Sequence, residues 1–190
     1  MHTTRKLSLL IVLDLGSAAA MAGEIDGSTV LSSGSVNTSA GFLSSANQNI
    51  GVAEQNGKIK NSTVIVNGAT NTAAGFLSSA TQSVGRATGN GEIKNSVVVG
   101  TGLSNTAAGF LSSATQEVGF AKGNGTVQNS TVIANGANNR ASGFLSSATQ
   151  QLGGASGNGK LTNSTVIATG SNNSASGFLS SADQSVGVAK

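Results

Sequence analysis

The chain repeats one 34-residue unit five times. The segment Gly-Phe-Leu-Ser-Ser-Ala begins, without insertion or deletion between copies, at Gly41, Gly75, Gly109, Gly143 and Gly177. Counted from Gly23, the copies are 23–56, 57–90, 91–124, 125–158 and 159–190, and the last is two residues short. A strict period of this length is typical of a stacked array, in which one unit buries its apolar face only against a neighbour. We therefore expect equivalent residues to lie directly above one another.

The composition argues against an ordinary globular core. The chain has 27 Gly, six Phe, no Trp, no Tyr and only 9% charged residues, so bulky core-forming side chains are scarce. Its hydrophobic fraction of 37% nevertheless exceeds what a disordered chain usually carries. The net charge of +3 comes from basic residues that neither cluster nor alternate with aromatic residues. We therefore do not expect a nucleic-acid partner.

Residues 1–22 have the pattern of a secretion signal peptide. Arg5 and Lys6 form a basic N-terminal segment, Leu7–Val12 is an apolar run, and Ala20–Ala22 resembles a signal-peptidase cleavage site with small residues. Asp14 argues against this interpretation, because a carboxylate in the apolar region is costly to insert, and the alternative is a retained N-terminal helix. No other segment is long and apolar enough to span a bilayer. We expect a secreted protein, extracellular or on the cell surface.

The first half of each repeat alternates as a β-strand does. In the second copy, variable positions such as Lys58 and Lys60 alternate with apolar and often β-branched ones. We expect two apolar columns to face inward, namely Ile25, Ile59, Ile93, Val127 and Leu161, and Leu31, Ile65, Val99, Ile133 and Ile167. By the same alternation Ser62 and Val64 face outward, unless a bulge reverses the faces of one strand.

The second half of the repeat alternates as well. The side predicted to face inward carries the same residue types in every copy, which in the second copy are Phe76, Ser78, Ala80, Gln82 and Val84. Leu77 and Ser79 then face outward. The alternative is a helix, because several of the inward residues are also four positions apart. A strand is favoured, since helix-capping residues are scarce and Ser, Thr and Gly are unfavourable inside helices.

These patterns predict an all-β fold. We expect a β-solenoid, cross-β-like in its stacking, of five stacked 34-residue coils that each run strand–arc–strand–arc. Glycine and asparagine between the strands suit the positive φ angles of sharp bends. A 17-residue coil is the alternative, because Ser62 and Gly68 match Ser79 and Gly85 half a repeat later. The remaining residues of the two halves match poorly, which favours the longer coil.

Stacking would bring identical side chains together in columns. Columns of buried amides can hydrogen-bond along the axis and columns of rings can stack, as in cross-β assemblies. The predicted stacking ladders are Gln48, Gln82, Gln116, Gln150 and Gln184; Asn37, Asn71, Asn105, Asn139 and Asn173; and Phe42, Phe76, Phe110, Phe144 and Phe178. For the Asn column the alternative is a role in turns, without bonds between coils.

Residues suited to catalysis or metal binding are scarce. The only His is His2, inside the predicted signal, and there is no Cys, so the chain lacks a nucleophile–base pair and a thiolate–imidazole metal site. The seven acidic residues recur at no fixed position of the repeat, which does not fit a periodic calcium site. We therefore expect no enzyme, no cofactor and no metal.

The repeat plan resembles that of the subunits of bacterial functional amyloids, the curli class in particular. The shared features are an export signal, five imperfect repeats, and Ser, Gln, Gly, Asn and Ala at fixed places. The nearest local match is residues 78–90, with Gln82, Gly85, Ala87, Gly89 and Asn90. The resemblance covers residues 23–190 in plan. It implies an extracellular fibre of stacked β-coils, with dedicated secretion or nucleation proteins as further partners.

The sequence therefore predicts a secreted structural subunit that stacks head to tail with itself into an extracellular amyloid-like fibre, in a biofilm matrix or for adhesion. The first and last repeats resemble the internal ones, so no cap would block addition at the exposed strand edges. In a continuing register, Lys160 would lie over Glu24 of the next subunit and Lys190 over Glu54, and each contact would pair opposite charges.

Two other function classes are alternatives to the fibre. One is a monomeric extracellular binding module, such as an adhesin stalk or an ice-binding protein that presents Ser62 and Thr63 in rows. It would need a flat outer face and a cap. The other is a β-helical enzyme acting on polysaccharide, which would need carboxylates gathered in a cleft. The sequence shows neither a cap nor such a group of carboxylates.

Overall fold

The structure, a computed structural model, describes residues 9–11 and 21–189. Its strands are β1 (Leu9–Ile11), β2 (Met21–Asp26), β3 (Thr29–Ser33), β4 (Val36–Ile50), β5 (Val52–Lys60), β6 (Thr63–Asn67), β7 (Thr70–Val84), β8 (Glu92–Lys94), β9 (Val97–Thr101), β10 (Ser104–Ala108), β11 (Leu111–Val118), β12 (Thr126–Gln128), β13 (Thr131–Asn135), β14 (Asn138–Ser142), β15 (Leu145–Leu152), β16 (Lys160–Thr162), β17 (Thr165–Thr169), β18 (Asn172–Ser176) and β19 (Leu179–Val186). All regular structure in these ranges is strand, which confirms the all-β prediction. Within them there is no helix of the length and apolar character needed to cross a bilayer.

The strands stack as a β-solenoid of five coils. From Glu24 onward, each strand pairs in parallel with the equivalent strand of the coil before or after it. Gln82, for example, pairs with Gln48 on one side and Gln116 on the other. The separation between stacked residues is 34 positions, so the 34-residue coil is confirmed and the 17-residue alternative is wrong.

Each coil contributes to three parallel sheets. The short-strand sheet contains β2, β5, β8, β12 and β16, and the middle sheet contains β1, β3, β6, β9, β13 and β17. The long sheet contains β4, β7, β10, β11, β14, β15, β18 and β19. In the long sheet the chain doubles back at Gly75 and its equivalents. Ala73, before this turn, and Ala80, after it, consequently pack in one buried cluster. The coil is therefore narrow here, and the turn around Gly75–Leu77 forms its tip.

Three clusters of apolar side chains fill the interior. Valines such as Val64 and Val84 form the widest cluster, between the middle sheet and the far end of the long sheet. Ile59 and Ala87 belong to a second cluster beneath the short-strand sheet. Small alanines fill the narrow part near the tip. The predicted inward column is confirmed, since Ile25, Ile59, Ile93 and Val127 are buried and Leu161 packs partly buried against them.

The faces of the middle sheet are the reverse of those predicted. Ser62 and Val64 are buried, whereas the column predicted to face inward is exposed or half-buried at Leu31, Ile65, Val99, Ile133 and Ile167. The cause is Asn61, whose φ of 49° lies in the left-handed region. This corner residue interrupts the alternation, so Ile59 and Ser62 both point inward although they are three positions apart.

The Phe column lies on the outside of the solenoid, which corrects a second predicted face. Phe76 is 46% exposed, whereas Ser78 and Ala80 are buried as expected. The chain turns at Gly75, and Phe76 occupies the outer side of that turn, so the inward alternation begins only at Ser78. Strand β7 spans this segment, and the alternative of a helix is therefore wrong.

Candidate assembly interface

The Gln column is a buried chain of amide hydrogen bonds. Gln82 Nε2 donates to Gln48 Oε1 at 2.7 Å, Gln116 Nε2 to Gln82 Oε1 at 2.6 Å, and Gln150 Nε2 to Gln116 Oε1 at 2.7 Å. These four side chains are at most 2% exposed, while Gln184 in the last coil is exposed. Every donor therefore points to the preceding coil.

Both ends of this hydrogen-bonded chain are open. In coil 1, Gln48 Nε2 is buried and has no hydrogen-bond partner among the described residues. In coil 4, Gln150 Oε1 is likewise buried without a partner in that range. Buried polar atoms normally have a partner, because leaving one unpaired costs its full desolvation free energy. The hydrogen-bonded part of the column, from Gln48 to Gln150, thus ends in an unused donor in coil 1 and an unused acceptor in coil 4.

The Asn column runs in the opposite direction. Donation proceeds toward the following coil, through Asn37 Nδ2 to Asn71 Oδ1, Asn71 to Asn105, Asn105 to Asn139 and Asn139 to Asn173, at 2.8–3.0 Å. Asn71 Nδ2 also donates to the carbonyl O of Thr81 at 2.8 Å and so joins the two arms of the tip. These residues lie within strands, so the alternative of a turn role does not apply to this column.

The Phe column forms a continuous stack of rings at the tip. Neighbouring ring centroids are 5.0–5.3 Å apart, and the ring planes differ by at most 9°. The Leu that follows each Phe also faces outward, as predicted for Leu77, and is exposed or half-buried in every coil. We call this surface the tip ridge; it consists of Phe42, Leu43, Phe76, Leu77, Phe110, Leu111, Phe144, Leu145, Phe178 and Leu179.

Two further Asn ladders occur at corners and were not predicted. At the corner before the middle sheet, Asn129 Nδ2 donates to Asn95 Oδ1 at 3.2 Å and Asn95 Nδ2 to Asn61 Oδ1 at 3.3 Å. At the junction between coils, Asn90 Nδ2 donates to Asn56 Oδ1 at 3.0 Å and Asn124 Nδ2 to Asn90 Oδ1 at 2.9 Å. The sequence signal was the recurrence of Asn at the same positions of each repeat. In the corner ladder these Asn residues have positive φ, which Asn tolerates.

One group of charges breaks the periodicity. Arg86 Nη1 donates to Glu117 Oε2 at 3.3 Å and Arg86 Nη2 to Glu54 Oε1 at 3.4 Å, which links three successive coils. Lys122 Nζ lies 2.5 Å from Glu117 Oε1, and Glu117 is 2% exposed. Glu54 was predicted at the subunit joint, but in the structure its carboxylate is engaged by Arg86. Its predicted partner, Lys190, lies outside the described residues.

The other predicted joint pair lies at opposite ends of one column. Glu24 is in the first coil and Lys160 in the last, and the short-strand sheet connects them through stacked equivalents. Lys58 lies directly opposite Glu24 in the register. The ion pair nevertheless forms diagonally, with Lys60 Nζ 3.2 Å from Glu24 Oε1.

The two ends of the solenoid differ. Strands β16–β19 of coil 5 each pair with coil 4 only, and the inward residues Ala182, Gln184 and Val186 are exposed. Val186 is 48% exposed, whereas its equivalent Val118 is fully buried. In coil 1, by contrast, inward residues such as Ile50 are buried. Coil 5 therefore presents both unpaired strand edges and an open interior.

The predicted export signal lies largely outside the described residues. Within 1–22, the structure describes residues 9–11 and 21–22. Strand β1 pairs in parallel with β3, with Leu9 opposite Thr29 and Ile11 opposite Leu31. The described part of this segment is thus strand rather than the alternative helix, and it occupies the outer edge of the middle sheet at coil 1.

Comparisons with known proteins add no further identification. No protein-family model, no curated protein and no solved structure matches this chain. In the part of the chain that the structure describes, no group of three or more His, Cys, Asp or Glu side chains lies where it could hold a metal ion. The ladders and the two ends of the solenoid are therefore the features that bear on function.

Proposed function

We propose that this protein is a secreted structural subunit whose solenoids stack head to tail, coil 5 against coil 1, into an extracellular amyloid-like fibre. The observation that carries the proposal is the unpaired donor at the end of the Gln column. Inside the chain Gln82, Gln116 and Gln150 each donate through Nε2 to the Gln of the preceding coil. Gln48 has no preceding coil, and its buried Nε2 lacks a partner among the described residues. Gln184 of another subunit would supply the missing acceptor.

The direction of the two amide ladders favours head-to-tail over head-to-head stacking. In a head-to-tail joint, Gln48 Nε2 donates to Gln184 of the upstream subunit, and Asn173 Nδ2 donates to Asn37 of the downstream one. Two coil-1 ends placed together would bring the Gln48 donors face to face without an acceptor. Because an unpaired buried amide costs about 1–3 kcal/mol, the polar ladders select one polarity.

The open end of coil 5 supplies the stacking surface. Its edge strands offer a row of unpaired backbone N–H and C=O groups, which is a template for adding another chain. Its exposed interior residues, such as Ala182 and Val186, would become buried beneath the next coil 1. Burial of apolar area and the backbone bonds would stabilise the joint. Such a heterologous contact repeats without closing and so generates a filament.

Removal of the predicted signal fits this assembly. In the full chain β1 occupies the edge of β3 that the incoming β17 of another subunit would need. Cleavage after Ala22 would take β1 away and free that edge at the time of secretion. The chain itself is the principal partner, and the secretion or nucleation proteins implied by the curli resemblance belong to the same proposal. The fibre would serve a biofilm matrix or adhesion.

The binding-module alternative has less support. An ice-binding surface with rows of Ser62 and Thr63 requires both side chains outside, but Ser62 is 2% exposed. Ser62 Oγ instead donates to the carbonyl O of Lys60 at 2.6 Å and so stabilises the corner. We also propose that the protein is not an enzyme.

Incubation of purified protein followed by negative-stain electron microscopy tests the proposal. Residues 23–190 should form unbranched fibres, and the full chain, with β1 in place, should form them more slowly. The matched variants are Gln184→Leu at the open end and Gln128→Leu on the outward face of coil 4. The first should reduce fibre growth and the second should not. A chain 23–190 that stays monomeric at every concentration would contradict the proposal.

A further inference from the structure

The tip ridge is an exposed apolar surface, with none of residues 9–11 and 21–189 covering it. Its five Phe residues are 44–74% exposed, although aromatic side chains are usually a major source of buried area. Three of the Leu residues, Leu43, Leu111 and Leu179, are 39–68% exposed as well. A contiguous exposed patch of this kind marks an interaction site.

The area of the tip ridge is close to what a stable protein–protein contact needs. Together, the five partly exposed Phe residues expose as much surface as nearly three fully exposed Phe residues would. At about 200 Å² for each Phe, the rings alone expose roughly 550 Å². The Leu residues add to this, and a standard interface buries about 800 Å² on each partner.

The periodicity and charge of the tip ridge identify its occupant. The rings repeat every 5.0–5.3 Å along the axis, and a second copy of this solenoid offers rows of side chains at the same spacing over the same five coils. The residues from Ala74 to Ala80 and their equivalents carry no charge in any coil, so two copies would meet without repulsion and without attraction for an anionic surface. We infer that the tip ridge docks onto the tip ridge of a second copy of this chain.

The pair would be isologous, with the same surface used on both subunits. Phe110 and Leu111 lie in the third of five coils and form the middle row of the ridge. A two-fold axis either along or across the solenoids places the middle row of one copy against that of the other. In a fibre the ridges would continue from subunit to subunit and pair two filaments along their length. This extension rests on the proposed function, whereas the pairing of two chains does not.

Sedimentation of the full chain tests the pairing separately from fibre growth. The wild-type protein should show a concentration-dependent dimer. Phe110→Ser removes a ring from the centre of the interface and should raise the dimer dissociation constant about 30-fold. The matched control is Val97→Ser, because Val97 is 38% exposed in the same coil but lies on the middle sheet. It should change the dissociation constant by less than about twofold, and far-ultraviolet circular dichroism checks that both variants fold.

The absence of Cys from the chain allows a second test that does not depend on stability. Phe110→Cys should form a disulfide-linked dimer on mild oxidation, because equivalent residues of the pair lie together, and Val97→Cys should not. Wild-type protein that is monomeric throughout, equal cross-linking of the two Cys variants, or binding of the ridge to phosphatidylcholine vesicles in place of dimerisation would overturn the inference. Gln184→Leu should weaken fibre growth but leave the dimer intact, which distinguishes failure of the proposed function from failure of the pairing.

Discussion

At the scale of single residues, backbone proximity at the tip restricts the sequence most. A Cβ added to Gly109 would lie 1.8 Å from the carbonyl O of Gly75, and one added to Gly143 would lie 1.6 Å from that of Gly109. A backbone atom cannot move aside as the end of a flexible side chain can. Only glycine therefore permits one coil to stack on the preceding one at this turn, which explains the Gly immediately before Phe in coils 2 to 5.

The aperiodic charge cluster gives a residue-scale prediction. Arg86→Val leaves the buried Glu117 carboxylate with Lys122 alone and should lower the free energy of unfolding by about 2–3 kcal/mol. Val52 stands at the equivalent position one coil earlier and is fully buried, so Val fits the site. The double variant Arg86→Val, Glu117→Ser removes both charges and should recover most of the loss. Urea unfolding of the full chain measures these changes in the free energy of unfolding. If the loss in the double variant equalled the sum of the losses in the two single variants, the proposed coupling of Arg86 and Glu117 would be contradicted.

At the scale of the elements, the columns could be predicted from the sequence but the faces of some strands could not. A strict period by itself determines that Gln82 lies over Gln48. Which face of a strand points inward depends on the corner before it. At Asn61 the left-handed backbone shifts the alternation by one, and alternation extended through that corner gave the wrong face for Ile65. The repeated Asn before Ser62 was the available signal for this corner.

The charge cluster was beyond sequence reasoning for a different reason. Arg86 and Glu117 belong to different columns and different coils, and neither recurs in other copies. Their contact depends on how the turn after β7 and the turn after β11 bring the two columns side by side. Periodicity carries no information about such a contact. The same holds for the exposure of the Phe column, because only the position of the turn at Gly75 places those rings outside.

The Gln column gives a prediction at the scale of the elements. Gln116→Leu leaves Gln82 Oε1 without its donor in a fully buried site and should lower the free energy of unfolding by about 1–3 kcal/mol. Replacing all five Gln of the column should stop ordered growth, because the amides specify register. The matched control is Gln128→Leu on a half-buried outward face, which should change stability by less than about 0.5 kcal/mol. Equal effects of the two single variants would show that the column is incidental.

At the scale of the whole molecule, the solenoid has a direction, because its two ends differ. One end has a buried donor, Gln48 Nε2, without a partner among the described residues, and an edge that β1 partly covers. The other end exposes its interior and four edge strands. Opposite ends of the short-strand sheet carry Glu24 and Lys160, whose charges are complementary. Cross-strand charge pairs contribute only about 0.2–1 kcal/mol, so this pair would select partner and polarity rather than drive growth.

A charge swap at this pair tests the polarity. Glu24→Lys in residues 23–190 should slow fibre elongation about two- to fivefold at low salt and less at high salt, where charges are screened. Adding Lys160→Glu should restore the rate. Glu92→Lys, in the same column but inside the solenoid, serves as the control and should not respond to Lys160→Glu. If the Glu24, Lys160 double variant elongates no faster than Glu24→Lys, the proposed register of the joint is wrong.

The most direct test of head-to-tail stacking is the rise per subunit in electron cryomicroscopy of fibres grown from residues 23–190. Five coils at about 4.8 Å each predict a rise of about 24 Å per subunit, with the density of coil 5 continuing directly into coil 1 of the next chain. Gln184 should then lie against Gln48 of the neighbour. A rise of about 4.8 Å, with each chain spread flat in one layer of the fibre, would contradict the account.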